Sequence, residues 1–347
     1  MINKTFAICA PIYLEHNYIN FFVEYHISLG FDMIYLLIDN STIIQNDYLI
    51  NEKFLPYVKL YYITKEEAIN DINNCIQKYE VVHNKMINTI YPDISEDYVI
   101  LSSLDAFLFL DNLTLHEYFT KNNISDDTAQ IFFRWKCLIN MSFKTEYNIL
   151  EDVNSKNIES RNYDHFFTMG NKKLVKKPTP CCHMFITSTN TNAMYEGNKF
   201  IINELTGVAE IFNKLEALDG IENNLPHNHH LYVNNNKHSS YIYHFMSRNI
   251  QDVFIKSYYY WKKNHDENRI DMIREIVFNN RKELSRDVVV KSKSENSSSI
   301  TDVIFKPDNT HQSTYNFDES LFNKILEDCN ISLEDFNKWF LSNLSNT

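Results

Sequence analysis

Glycine is scarce in this chain of 347 residues, which carries five: Gly30, Gly170, Gly197, Gly207 and Gly220. They stand too far apart to build a GxGxxG turn or a GxxxxGK[ST] loop, so the glycine-dependent phosphate cradles of dinucleotide-binding proteins and P-loop enzymes are excluded. Basic charge is also in deficit. Lys and Arg number 33 against 45 Asp and Glu, a formal net charge of −12, and a surface of that sign repels nucleic acid and anionic lipid, so nucleic acid is not expected as a partner. The six cysteines, Cys9, Cys75, Cys137, Cys181, Cys182 and Cys329, include no CxxC pair. The adjacent Cys181 and Cys182 fit no common zinc or disulfide spacing, so the thiols are read as reduced and the compartment as cytoplasmic. Apolar runs are short. The stretch from Phe6 to Leu14 is cut by Pro11 and stops at Glu15 without a small-residue cleavage site, which does not fit a signal peptide. No run approaches the roughly 18 residues of a membrane span, so no integral membrane segment is expected. A serine nucleophile elbow, an HExxH pair and the kinase motif set are missing too, which leaves hydrolase and phosphotransferase readings without a carrier.

What the chain has in quantity is core-forming material: 44% hydrophobic residues, with 24 Phe and 22 Tyr. The opening alternates short β-type runs with helical periodicity, the pattern of a parallel sheet flanked by helices. Phe6 to Pro11 is a predicted strand. Ile19 to Leu29 carries Phe22, Val23, His26 and Ile27 at helical spacing, and Gly30 supplies the stop. Met33 to Ile38 is a second strand, running into Asp39, Asn40 and Ser41. Val58 to Ile63 reads as a third strand, Lys65 to Ile90 as a long helix, and Tyr98 to Asp105 as a fourth strand ending on an acid. Two successive parallel strands thus carry acids, Asp39 and Asp105, to the carboxyl edge of the sheet, where open α/β sheets bind ligands. Strand-end aspartates also begin turns and cap helices, so either one alone decides nothing.

Further along, Ala129 to Trp135 reads as a strand, Asn140 to Asn171 as a loop-rich excursion, and Cys182 to Thr187 as a short strand. Tyr241 to Phe245 is the expected last strand of the sheet, followed by helices over Ser247 to Trp261 and Arg269 to Ser285. The Ser/Lys/Asn-rich stretch near 290–299 has the composition of a linker. Beyond it, Leu321, Ile325, Phe336, Trp339, Phe340 and Leu344 fit two amphipathic helices. The expected organisation is an α/β body over residues 1–265 and a helical extension over 266–347. His227, His229, His230 and His238 lie in a polar, Asn-rich stretch without cysteine, whereas His244 ends a strand and is the histidine singled out. Arg134 and Trp135 close a strand either as a sugar-stacking and phosphate-pairing couple or as a core Trp with a surface Arg.

The opening ICAPIYLEHNYINFFVEYHISLGFDMIYLLIDNS, with Glu24-Tyr25-His26, Leu29-Gly30 and Asp39-Asn40-Ser41 in that order, resembles the start of glycosyltransferases of family 92 and their family 2-like relatives. LSSLDAFLF at 101–109 is similar to that group's D-x-D-E-F strand end, and YHFMSRNIQDVFIK at 243–256 to its H-Y-x-x-[KR]-S…F-x-x-K block. The resemblance covers roughly residues 6–262. It implies a GT-A-type, Rossmann-like, mostly parallel sheet flanked by helices. It also implies transfer of a hexose from a nucleotide-sugar, UDP-linked, to a saccharide acceptor in surface polysaccharide or glycoconjugate assembly.

In that family pattern Ala10, Pro11 and Tyr13 wall the nucleotide slot with Glu15 nearby. Asp39 meets ribose or base, Asn40, Ser103 and Asp105 also belong to the nucleotide-sugar site, and Arg248 or Lys256 pairs with phosphate. A Mn²⁺ or Mg²⁺ sits on Asp105 and His244, which suits a diphosphate leaving group needing a Lewis acid. The chain departs from the pattern at Ser103 and Ala106, where the family carries Asp and Glu. One acid of three survives, so the alternative is a degenerate, non-catalytic nucleotide- or glycan-binding protein on the same fold. For the base that an inverting reaction requires, Asp164, His165, His183, Glu196 and Glu204 all remain open.

Overall fold

The computed structural model describes residues 4–12, 18–39, 50–64, 67, 78–140, 146–147, 158–179, 184–187, 190–195, 197–202, 240–247, 298–299, 315–316 and 319–344. The chain divides into two compact units. The first comprises Met1–Lys136, Asn162–His244 and Asp308–Ser313, and the second Cys137–Arg161, Phe245–Pro307 and Thr314–Thr347.

The first unit is built on β1 (Phe6–Ile12), an unbroken apolar run buried along its length except at the half-buried Pro11. Such a run, apolar on both faces, belongs in the middle of a parallel sheet covered on both sides. After it come α1 (Ile19–Leu29), β2 (Met33–Asp39) and, beyond a 3₁₀ turn at Glu52–Tyr57, β3 (Val58–Ile63). Helix α1 stops where predicted. Gly30 adopts φ 101°, a left-handed conformation open to glycine, its N–H donating to Ile27 O and that of Phe31 to His26 O, each at 3.0 Å.

The long helix expected over Lys65 to Ile90 is described from residue 78. It runs as α2 (Lys78–Lys85), widens into a π turn at Met86–Ile90 and ends with Tyr91–Asp93. Val82, Met86 and Ile90 pack on the same core cluster as Cys9, Tyr35 and Leu37.

Then follow β4 (Tyr98–Leu101), β5 (Ala106–Phe109), α3 (Leu115–Lys121), β6 (Thr128–Asn140), β7 (Glu146–Tyr147), β8 (Ile158–Asn171), β9 (Val175–Pro178), β10 (Phe185–Thr187), β11 (Thr191–Tyr195), β12 (Asn198–Ile202) and β13 (Tyr241–Ser247). The main sheet reads β12-β11-β6-β8-β4-β1-β2-β3. β1 pairs in parallel with both β2 and β4, and β2 with β3; β8 joins the far side of β4 antiparallel, with Val99 opposite Gly170. This is the Rossmann-like, GT-A-type arrangement expected from the opening block.

Several expectations are corrected. The fourth strand ends at Leu101 rather than Asp105, because Ala106 starts a separate strand of its own, and Asp105 lies in the turn between the two. The end of the supposed loop-rich excursion is a strand of 14 residues, β8, whose pairing with β4 the local composition conceals. The last sheet strand continues through Ser247, so no helix begins there. The helices expected over 248–261 and 269–285 lie outside the described residues.

At the amino edge, the Asp97 carboxylate accepts hydrogen bonds from Thr5 N (3.1 Å), Thr5 Oγ1 (3.2 Å) and Lys173 Nζ (2.8 Å). Asp32 accepts from Phe6 N at 2.8 Å. The start of β1 is therefore tied on both sides. Across the sheet, Gln130 grips the backbone of Phe185 with both ends of its amide: Nε2 donates to Phe185 O (2.9 Å) and Oε1 accepts from Phe185 N (3.0 Å).

In the second unit β14 (Ser298–Ser299) pairs with the start of β8, and β15 (Tyr315–Asn316) with β7. The two predicted tail helices are present as α4 (Glu319–Asp328) and α5 (Leu333–Leu344). Phe322 and Phe336 meet edge to face at 4.9 Å between them, and Ser332 caps α5 by accepting from Asp335 N at 3.0 Å. Among the described residues no helix is long and apolar enough to cross a membrane, and Cys9 and Cys329 are buried and not disulfide-bonded.

Candidate functional site

Parallel pairing puts the carboxyl ends of β1, β2 and β4 on one edge. Chain order reverses at β1, since β2 and β3 extend from one side of it and β4 from the other. Ligands of open α/β sheets bind at such switch points. Pro11 and Ile12 end β1, and Asp39 ends β2 opposite Ile63. β4 is held to β1 one residue past its end, Ser102 N donating to Cys9 O at 2.7 Å.

The chain then makes a turn closed by Ala106 N donating to Ser103 O at 3.1 Å. Asp105 sits in that turn, and β5 leaves it to pair antiparallel with β13, which sets His244 opposite Ala106. The register therefore brings a histidine from late in the chain beside Asp105. His244 Nε2 lies 3.1 Å from Asp105 Oδ1, with 14% and 12% of their side chains exposed. The contact is an ion-pair distance, and a carboxylate and an imidazole so close together are two groups that could hold a divalent cation. Among the described residues no group of three or more His, Cys, Asp or Glu gathers.

Ser103 and Ala106, where the sequences that this chain resembles carry acids, are also placed. Ser103 Oγ is buried and has no hydrogen-bond partner among the described residues, a polar atom that a ligand group would satisfy. Ala106 is 1% exposed and puts a methyl group opposite His244.

Of the other site candidates, Ala10 is fully buried inside β1 and Pro11 half-buried beside its end. Tyr13, Glu15, Asn40, Arg248 and Lys256 lie outside the described residues, as do His183, Glu196, Glu204 and the histidines at 227, 229, 230 and 238. Asp164 and His165 are in β8.

Arg134 is neither a surface cation nor a free sugar platform. It is 1% exposed, its Nε donates to Tyr195 OH at 3.1 Å and its guanidinium carbon stands 4.9 Å from the centre of the Phe166 ring. Tyr25 and His26, which the sequence offers as part of a motif and, for His26, as a core position of α1, also belong to the surroundings of this turn. Their signal in the sequence is two polar-tipped rings side by side in an otherwise apolar helix.

No protein-family model matches the chain, and no curated protein matches it. Among solved structures, HddC from Yersinia pseudotuberculosis aligns at 11% identity over 61% of this chain and 100% of its own, with a TM-score of 0.29. S. aureus TarS 1–349, crystallised in complex with UDP, aligns at 10% identity over 79% of this chain and 72% of its own, with a TM-score of 0.30. At such scores neither likeness decides a function. The strand order and the carboxyl-edge geometry stand on the chain's own residues.

Proposed function

We propose that the chain is a glycosyltransferase that moves a hexose from a nucleotide-sugar, UDP-linked, to a saccharide acceptor in surface polysaccharide or glycoconjugate assembly. The observation that carries this reading is the 3.1 Å approach of His244 to Asp105 at the carboxyl edge beside the β1/β4 switch point. In it, Asp105 and His244 hold a Mn²⁺ or Mg²⁺. When bound, that ion supplies Lewis-acid stabilisation of the charge that develops on the departing diphosphate. Asp39, at the end of β2, meets the ribose or base. The Ser103 hydroxyl satisfies itself on a polar group of the donor, and Arg248 or Lys256 pairs with a phosphate oxygen. Pro11 borders the nucleotide slot. The acceptor hydroxyl gives its proton to a carboxylate or imidazole that the reading leaves unassigned.

Turnover of a panel of UDP-sugars with Mn²⁺, compared between wild type and Asp105→Ala, tests the proposal. Loss of an electrostatic anchor of this kind costs about 10²–10³ in rate, and equal turnover in both proteins would remove Asp105 from its role. A second reading, a non-catalytic nucleotide- or glycan-binding protein, is favoured by one feature, the Ser103 and Ala106 that stand where the resembling family has acids. Metal-independent UDP binding without donor breakdown would select it.

A further inference from the structure

The segment Glu24-Tyr25-His26 offers an acid, a phenol and an imidazole in a row, and its burial assigns two of them a different task. His26 is fully buried in α1, its Nδ1 stands 2.8 Å from Phe22 O, and burial lowers its pKa to about 3. It is therefore a neutral flat ring across the working range. Tyr25 is 7% exposed, burial raises its phenol far above the ordinary value, and its hydroxyl stays protonated and donates to Leu108 O at 2.7 Å.

Both rings converge on Phe107, two residues past Asp105. His26 stacks on it at 5.7 Å with 17° between planes, and Tyr25 meets it edge-on at 5.3 Å. Phe21 and Phe22 close the remaining sides at 5.6 and 5.8 Å. Phe107 in turn pairs with Tyr243, and Ala106 with His244. Tyr243 is buried as well, its phenol raised first by that burial and then by Tyr241 and Tyr25. One short strand, β5, thus has α1 gripping its middle, Asp105 at its entrance and His244 across its first rung.

We infer that Tyr25 and His26 are positioning residues, which fix β5 against α1 and through it set the approach of Asp105 to His244. The use of that pair as a cation edge rests on the function proposed above; the positioning itself does not.

The test compares Tyr25→Phe with Tyr98→Phe in the full chain. The second variant also deletes a buried tyrosine hydroxyl, one that Asn171 Nδ2 meets at 3.2 Å, but at the amino end of β4. One hydrogen bond lost from a local opening equilibrium corresponds to up to about tenfold in exchange. Tyr25→Phe is expected to speed amide hydrogen exchange several-fold to tenfold at 106–109 and 241–244, with 6–12 and 33–39 unchanged. The same variant is expected to weaken Mn²⁺ binding in the presence of UDP about threefold to tenfold. Tyr98→Phe should leave β5, β13 and Mn²⁺ binding as in wild type.

Uniform acceleration across all four strands would overturn the inference. So would local acceleration in a variant that still binds Mn²⁺ with UDP as tightly as a wild type that binds it. If wild type takes up no Mn²⁺ with UDP, the proposed function fails by itself. The exchange pattern then still decides: acceleration confined to β5 and β13 sustains the positioning role, and uniform acceleration ends it.

Discussion

Gly170→Ala sets two effects against each other, and the structure decides which is larger. The glycine lies in β8 opposite Val99 with φ outside the left-handed region, so alanine suits the backbone. By restricting the unfolded chain alone, the change would stabilise by about 0.4–1 kcal/mol. The added Cβ, however, would stand 2.7, 2.8 and 2.9 Å from Cδ2, Cε2 and Cγ of Phe185. That ring has nowhere to go, since Phe185 is fully buried, both its backbone polar groups are held by Gln130, and Tyr91 lies against it at 5.9 Å. Overpacking of this kind costs about 1–3 kcal/mol, which leaves a net destabilisation centred on about 1.3 kcal/mol and at most roughly 2.6 kcal/mol once the entropic gain is subtracted. Urea denaturation with an unchanged slope measures it. The change should also cost less in a Phe185→Leu background, because residues in contact couple by at least about 0.5 kcal/mol. A neutral or stabilising Gly170→Ala, or an equal cost in both backgrounds, would refute the account of Phe185 as a wedge seated on a missing side chain.

Two further outcomes are expected. The hydrogen bond from Lys173, and after burial's opposing effect those from Thr5, hold the Asp97 carboxyl below its ordinary pKa; stability from a depressed carboxyl is present above the unfolded value of about 3.9 and lost as pH falls through the folded one. Wild type should therefore exceed Asp97→Asn in denaturation at neutral pH, with the gap closing below about pH 4, and a gap that ignores pH would contradict the tie. The double variant Ser103→Asp with Ala106→Glu buries a carboxylate opposite His244, a cost of several kcal/mol if no ion meets it. It should melt below wild type in EDTA and gain more from Mn²⁺ than wild type does; an equal gain would argue against a cation on the Asp105–His244 edge.

The β1-α1-β2-β3-β4 opening was legible because its signals are local. Unbroken apolar runs mark strands buried on both faces, and one glycine marks the helix end that Gly30 makes at φ 101°. β8 was not legible. Its buried stretch from Phe166 to Gly170 is buried at every position, so it shows no two-residue alternation, and it includes a glycine that normally argues against a strand. The reason for that glycine is Phe185, which the sequence leaves fifteen positions away. Asp105 was legible as an edge residue and misplaced in detail, since the rung that makes β5 a strand comes from β13. The approach of His244 to Asp105 follows from that same register and leaves no trace in spacing. Arg134 shows the opposite failure: a cation reads as surface unless its aromatic neighbours, Tyr195 and Phe166, are known.

The double tie of Thr5 to Asp97 bears on how the protein can be handled. It fastens the start of β1 at the amino edge, while the Asp105 and His244 pair belongs to the opposite edge, reached from Asp97 along the four residues of β4 and so about 15 Å distant at 3.3 Å per residue. A surface anchor or fused reporter joined ahead of residue 4 therefore leaves the sheet on the side away from the candidate site. Immobilisation through that end is the orientation in which nucleotide and cation titrations can be run on a sensor surface without the attachment competing for the edge under study.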